Sequence, residues 1–175
     1  MRIIQAPDTT ESYDAVVRLR RGAQEWLAAT GADQWVNDWP DTETMLAGFA
    51  TALRNGETWL AIDDEDHVIG AVTLNSHTAA NLWSDEEIES ALFVHRLTID
   101  RAIAGHGVGT ALLDFADHLA SERGKQWLRL DAWTTNAALH RYYLRQGFQL
   151  VRIVNGHHTP SAACFERQVR TLADA

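Results

Sequence analysis

Between positions 104 and 113 the sequence reads AGHGVGTALL, with glycines at 105, 107 and 109 just ahead of an amphipathic run. Glycines let the backbone approach a ligand closely, and the free amides and positive dipole end of the following helix favour an anion. The segment therefore describes a phosphate cradle that a pyrophosphate would suit. A tight turn without a ligand is the plain alternative, and a second motif has to decide between them. A dinucleotide fold would carry such a turn after its first strand, with an acidic residue about 20 positions on, whereas this turn comes mid-chain. No lysine follows the glycines, which disfavours a nucleoside triphosphate loop.

Other reactive side chains offer less. The eight histidines include no HExxH or comparable spacing with a carboxylate, so metal catalysis is rejected. The lone cysteine, Cys164, falls in a predicted strand without a nearby histidine and reads as buried filler. It also excludes an internal disulfide, so nothing demands an oxidising compartment.

The elements that must position the glycine turn follow from periodicity and caps. A strand over 2–6 precedes a helix from about 11 to 29, capped by Thr9 or Thr10, and Asp41 caps a second helix running to about 55. Strands over 58–62 and 68–74 flank the turn-like DDED, and after a long acidic connection a longer strand covers 90–99. The glycines at 105–109 then open a helix that stops at Gly124. A strand over 127–132, a helix from Asn136 to before Gly147, and a last hairpin of 148–154 with 163–169 complete the chain. The order β, α, α, β, β, β, α, β, α, β, β predicts a mixed α/β fold around one sheet, antiparallel early and crossed over by helices late.

Size and charge set bounds. At 175 residues the chain is expected to form one domain over 1–175 with a single core. A formal charge of -9 repels phosphate backbones, which argues against nucleic acid and is kinder to a cationic or amine-bearing partner. The N-terminus lacks a signal-peptide core and no stretch approaches the roughly 20 apolar residues of a membrane span, so a cytoplasmic protein without a membrane role is expected.

The segments HRLTIDRAIAGHGVGTALL and LRLDAWTTNAALHRYYLRQGF, together covering 95–148, resemble the two hallmark segments of the GCN5-related N-acetyltransferase (GNAT) superfamily. Gly107 and Gly109 meet its R/QxxGxG/A loop, and Asn136, Tyr143 and Gly147-Phe148 meet its downstream spacing. Ala104 stands where the family usually has Arg or Gln, which implies weaker cofactor binding; Arg101 and His106 lie close enough to compensate. The resemblance implies a central, mostly antiparallel mixed sheet of six to seven strands flanked by about four helices. It also implies acetyl-CoA as cosubstrate, held by Leu97, Thr98 and Ile99 on a splayed strand, by Ala104, Gly105, His106, Gly107, Val108, Gly109 and Thr110 in the loop, and by Asn136 and Tyr143.

The same resemblance implies direct transfer to an amine, with Tyr143 as the acid that protonates the departing thiolate and Tyr142 packed in the core. His95 is the favoured base: it stands two residues before Leu97, an unperturbed histidine titrates at about 6.5, and HRLTIDR is similar to one amine-acetylating branch of the family. Glu87 and Glu89 are the carboxylate alternatives, expected to be solvated. Trp35 and Trp39, with Trp83 and Glu89, would border an acceptor pocket for a small-molecule amine, an arrangement that suits a cation or a ring; His157 and His158 could line it too. Acetylation of a protein N-terminus or lysine, and a non-catalytic CoA-binding sensor, stay open as alternatives, as does a homodimer.

Overall fold

The computed structural model describes residues 1–170. The element order is β1 (Arg2–Gln5), α1 (Thr10–Ala29), α2 (Thr42–Arg54), β2 (Thr58–Ile62), β3 (Val68–Asn75), α3 (Asp85–Glu89), β4 (Ala91–Ile99), a 3-10 turn (Arg101–Ile103), α4 (Val108–Glu122), β5 (Trp127–Ala132), α5 (Ala137–Arg145), β6 (Gln149–Ile153) and β7 (Ala163–Gln168). The strands form a mixed sheet in the order β1-β2-β3-β4-β5-β7-β6, the expected class. The chain gathers into two compact units, one of residues 1–73 and 96–112, the other of 74–95 and the chain from Leu113 on. The boundary falls within β3, within β4 and within α4.

In the first unit, local chemistry sets the ends of the elements. Thr9 Oγ1 accepts the Ser12 amide at 3.3 Å and Asp41 accepts the Thr44 amide at 2.7 Å, each satisfying an orphan donor at a helix start. The carboxylate of Asp63 accepts the Glu65 and His67 amides at 2.9 and 2.8 Å, closing the turn between β2 and β3. Val16 and Leu19 of α1 and Phe49 and Leu53 of α2 bury their apolar faces against Leu60, Ile62 and Ala71 of the antiparallel strands. A methyl at Gly70 would come within 3.1 Å of Ile99 and Val108 and 3.2 Å of Leu112, so a bare backbone there lets the start of α4 settle on the sheet.

The second unit is built on β5, which pairs with β4 in parallel from Ala91↔Trp127 to Phe93↔Arg129 and with β7 antiparallel along its whole length. Leu82, Trp83, Ala91, Phe93, Ala162 and Cys164 pack one core cluster. Arg129, only 5% exposed, donates to Glu166 at 2.8 and 2.9 Å and also to the Glu87 carbonyl at 2.5 Å and the Ser90 hydroxyl at 3.0 Å, which ties α3 to the sheet. The acidic connection of the sequence reading contains this extra helix. Ser84 and Glu87 form a reciprocal capping box, so three successive acidic residues sit at the positive end of a helix. Glu87 also pairs with Arg152, so it is not the solvated residue expected, whereas Glu89 is exposed.

Candidate active site

The glycine loop lies in the first unit. Gly105 and Gly107 adopt φ of 89° and 83°, a region costly to residues with a Cβ, and a methyl at either would meet open space. The loop is therefore held by its backbone conformation and presents a bare face, as a phosphate cradle requires. Gly107 accepts the first helical bond of α4, from the Ala111 amide at 2.9 Å, so the amides of the first helical turn have no helical carbonyl to pair with. The Ala104 amide donates to Arg101 at a long 3.4 Å, and Val108 is buried as an anchor. Arg101 and His106 are both exposed; the Arg101 guanidinium lies 3.8 Å from the centre of the Trp26 ring, and His106 Nδ1 contacts the Ile103 carbonyl at 3.1 Å.

Upstream of the loop, Arg96 takes φ of 52° in the middle of β4, a left-handed conformation that a strand does not ordinarily contain. Its side chain reaches the Gly48 carbonyl at 3.3 Å and lies over Phe49. Leu97 and Ile99 are half-buried and Thr98 is buried, its hydroxyl donating to the Arg96 carbonyl at 3.3 Å. This kink follows the point where the described β4–β5 ladder stops.

Trp35 is held in place: the buried Arg20 guanidinium sits 3.8 Å from its ring centre and Gln24 donates to its carbonyl at 2.7 Å. Desolvation draws Arg20 down to about 10 against the pull of Asp38, 3.0 Å away, so the guanidinium stays charged. Trp39 is 43% exposed.

The second unit holds the other residues singled out in the sequence. His95 Nε2 lies 2.8 Å from the His77 carbonyl, an arrangement in which Nε2 carries the proton, and its ring stacks on Phe93 at 6.2 Å. Trp83 is a core residue, only 6% exposed, packed edge-on against Phe93, with no partner for its indole nitrogen among the described residues. Asn136 spends its side-chain oxygen capping α5, accepting the Leu139 amide at 2.9 Å. Of the paired tyrosines it is Tyr143 that is buried, against Tyr142, Phe148 and Phe165, while Tyr142 is half-buried, the reverse of the packing expected. Burial first, then the nearby Tyr142 and Asp131, push the Tyr143 phenol well above the usual tyrosine range. Such a phenol keeps its proton and serves as a hydrogen-bond donor.

Asp131 is a residue that the sequence reading missed. Burial raises its carboxyl to about 6, against a Thr78 hydrogen bond and the charge of His157 that lower it. The one local signal was an acidic residue breaking the apolar alternation of LRLDAW. His157 Nε2 contacts the Ala80 carbonyl at 2.7 Å.

The acetyltransferase (GNAT) family model matches residues 20–148. The chain is 26% identical over 171 residues to the uncharacterized N-acetyltransferase YesJ of Bacillus subtilis (strain 168), covering 93% of this chain and 88% of the relative. A crystal structure of a GNAT-family acetyltransferase from Listeria monocytogenes 4b F2365 superposes with a TM-score of 0.73 at 22% identity, covering 95% of this chain and 94% of that one. The PaiA N-acetyltransferase of Thermoplasma acidophilum, solved in complex with coenzyme A, gives a TM-score of 0.68 at 17% identity, over 95% of this chain and 98% of that one. With most of its length inside the family model, and with the glycine turn at the head of α4, this chain belongs to the GNAT acetyltransferase family.

Proposed function

We propose that the protein moves the acetyl group of acetyl-CoA directly to a primary amine of a small molecule, in a ternary complex, with residues 1–175 working as one catalytic domain. The observation that carries this reading is the glycine turn, whose two left-handed glycines open the first turn of α4 to a pyrophosphate. Leu97, Thr98 and Ile99 offer backbone groups to the pantetheine arm, and Ala104, Gly105, His106, Gly107, Val108, Gly109 and Thr110 hold the phosphates. Asn136 acts through its cap, fixing the start of the helix that carries Tyr143.

An attacking amine has to be neutral, and the departing thiolate has to be met by a donor. His95 takes the amine proton. Tyr143 donates a hydrogen bond to the thiolate sulfur, which suits a phenol that holds its proton tightly. Trp35, Trp39, Trp83 and Glu89 remain the proposed border of the acceptor site, with Trp83 acting from the core and Trp39 from the surface. The protein is proposed to work in the cytoplasm; no helix among the described residues is long and apolar enough to cross a membrane.

The test is thiol release from acetyl-CoA across a panel of small amines, with His95→Gln and Tyr143→Phe beside the parent protein. Amine-dependent release lost in both variants supports the roles. Unaltered turnover in either removes that residue from its role.

A further inference from the structure

Side chains alternate across a strand, so residues two apart share a face. The last pair of the described β4–β5 ladder is Phe93↔Arg129, and two residues further along the two strands stand His95 and Asp131. Both therefore lie on the face of Phe93, one step past the point where the ladder ends. On the other side of β5, Asp131 is paired with Cys164.

What surrounds the Asp131 carboxyl is neutral or already committed. From the loop after β3, the Thr78 hydroxyl donates to Oδ1 at 3.3 Å. From the loop between β6 and β7, His157 lowers the carboxyl electrostatically, while both of its ring nitrogens are engaged elsewhere: the Thr159 amide donates into Nδ1 at 3.1 Å and Nε2 contacts the Ala80 carbonyl at 2.7 Å. From β7, the Cys164 thiol is pushed up to about 11 by burial and stays protonated. From α5, Tyr143 keeps its proton as well. Arg129 is bound to Glu166 and Arg152 to Glu87. Asp131 forms no ion pair among the described residues, yet it is only half-buried, so one flank stays open. A desolvated carboxylate with one hydroxyl donor and no ion pair among the described residues is a costly feature to keep unless a cation from outside the chain completes it.

We propose that Asp131, supported by Thr78, binds the ammonium group of the acceptor and so makes the enzyme select amines that arrive as cations. This rests on the acetyl-transfer reading above and adds the charge of the substrate and the residue that reads it. The ammonium proton then passes to His95 on the same face, leaving the neutral amine to attack the acetyl carbonyl; the new C–N bond forms as the C–S bond breaks, the second N–H proton passes to the departing sulfur held by the Tyr143 hydrogen bond, giving the free thiol, and His95 returns the first proton to solvent. Asp131 ends the cycle ionised, as it began.

The experiment uses the full chain and two aromatic amines of similar size, benzylamine, which is a cation at pH 7, and aniline, which is neutral. For Asp131→Asn the KM for benzylamine should rise roughly 10- to 100-fold, the range of a lost charged hydrogen bond. Acetyl-CoA affinity and the KM for aniline should hold. Asp131→Glu, which keeps the charge, should recover part of the benzylamine KM. Equal loss with both amines, or no loss with either, overturns the proposal. Should the parent protein release thiol with neither amine, the acetyl-transfer reading fails at this step while Asp131 is still tested by calorimetric titration of benzylammonium. Binding abolished in Asp131→Asn supports the site, and binding that is absent from the parent or unchanged in the variant refutes it.

Discussion

If Asp131 is kept for a ligand, the unliganded protein should be destabilised by it, and Asp131→Asn should relieve that cost in a pH-dependent way. The folded carboxyl sits at about 6 against an ordinary value of 3.8, roughly two pKa units, which at 1.36 kcal/mol each is about 3 kcal/mol. Screening at the open flank makes this an upper figure. The folded state holds the proton more tightly than the unfolded chain, so the favourable contribution is complete below 3.8 and is lost as pH rises through about 6. Asparagine keeps an oxygen for Thr78 and does not titrate. The stability gap between variant and parent should therefore be smallest near pH 4, widen through pH 6, and level off with the variant ahead by up to about 3 kcal/mol, or roughly 6–12 °C in Tm for a chain of this size. Asp41, Asp63 and Asp100, all held below the usual range by hydrogen bonds, change stability at the acid end in both proteins and cancel in the difference. Urea titrations of both proteins between pH 4 and 8 give the gap directly. A gap independent of pH, or one that widens toward acid, would refute the burial argument.

Replacing Tyr143 with Phe leaves the ring contacts with Tyr142, Phe148 and Phe165 in place, so stability should change by less than about 1 kcal/mol while kcat falls about 100- to 1000-fold; steady-state kinetics beside calorimetric acetyl-CoA titration separates this from a binding defect. Because the phenol is raised above its usual range, kcat should show no alkaline limb from Tyr143 below about pH 10. Gly107→Ala meets no steric obstacle but pays for φ of 83°, about 1–2 kcal/mol, which should raise the Kd for CoA about 5- to 30-fold by calorimetry if the loop leaves its conformation. Ala104→Arg should tighten CoA binding severalfold, an effect that fades in titrations at higher salt. Arg167→Leu removes the partner of the buried Asp117, 2.7 Å away, and the donor to the Gln146 carbonyl; despite the second pairing of Asp117 with Arg170, denaturant midpoints should report a loss of about 3 kcal/mol or more.

The elements that the sequence predicted well were those with long apolar periods and side-chain caps: Thr9, Asp41 and Asn136 each start a helix where their type foretold it. α3 was missed because five residues are too few for a period to appear, although the Ser84–Glu87 spacing of a capping box was present. The exchange of roles between Tyr142 and Tyr143 reflects helix phase: which of two neighbours turns inward depends on where Phe165 arrives from β7, and nothing local to the nine-residue helix states that. Asp131 was hidden for the same reason, since Thr78 lies 53 residues away and His157 reaches it from another loop. The kink at Arg96 has no sequence signal at all, because glycine is the usual mark of a positive φ.

The measurement closest to the central claim is thiol release from acetyl-CoA by the parent protein across a panel of small amines, paired with calorimetric titration of acetyl-CoA alone. Saturable cofactor binding together with release that depends on the amine is the predicted result. Binding with no release for any small amine would contradict small-molecule acetyl transfer and favour a protein acceptor or a CoA sensor, and failure to bind acetyl-CoA would contradict the reading of the glycine turn itself.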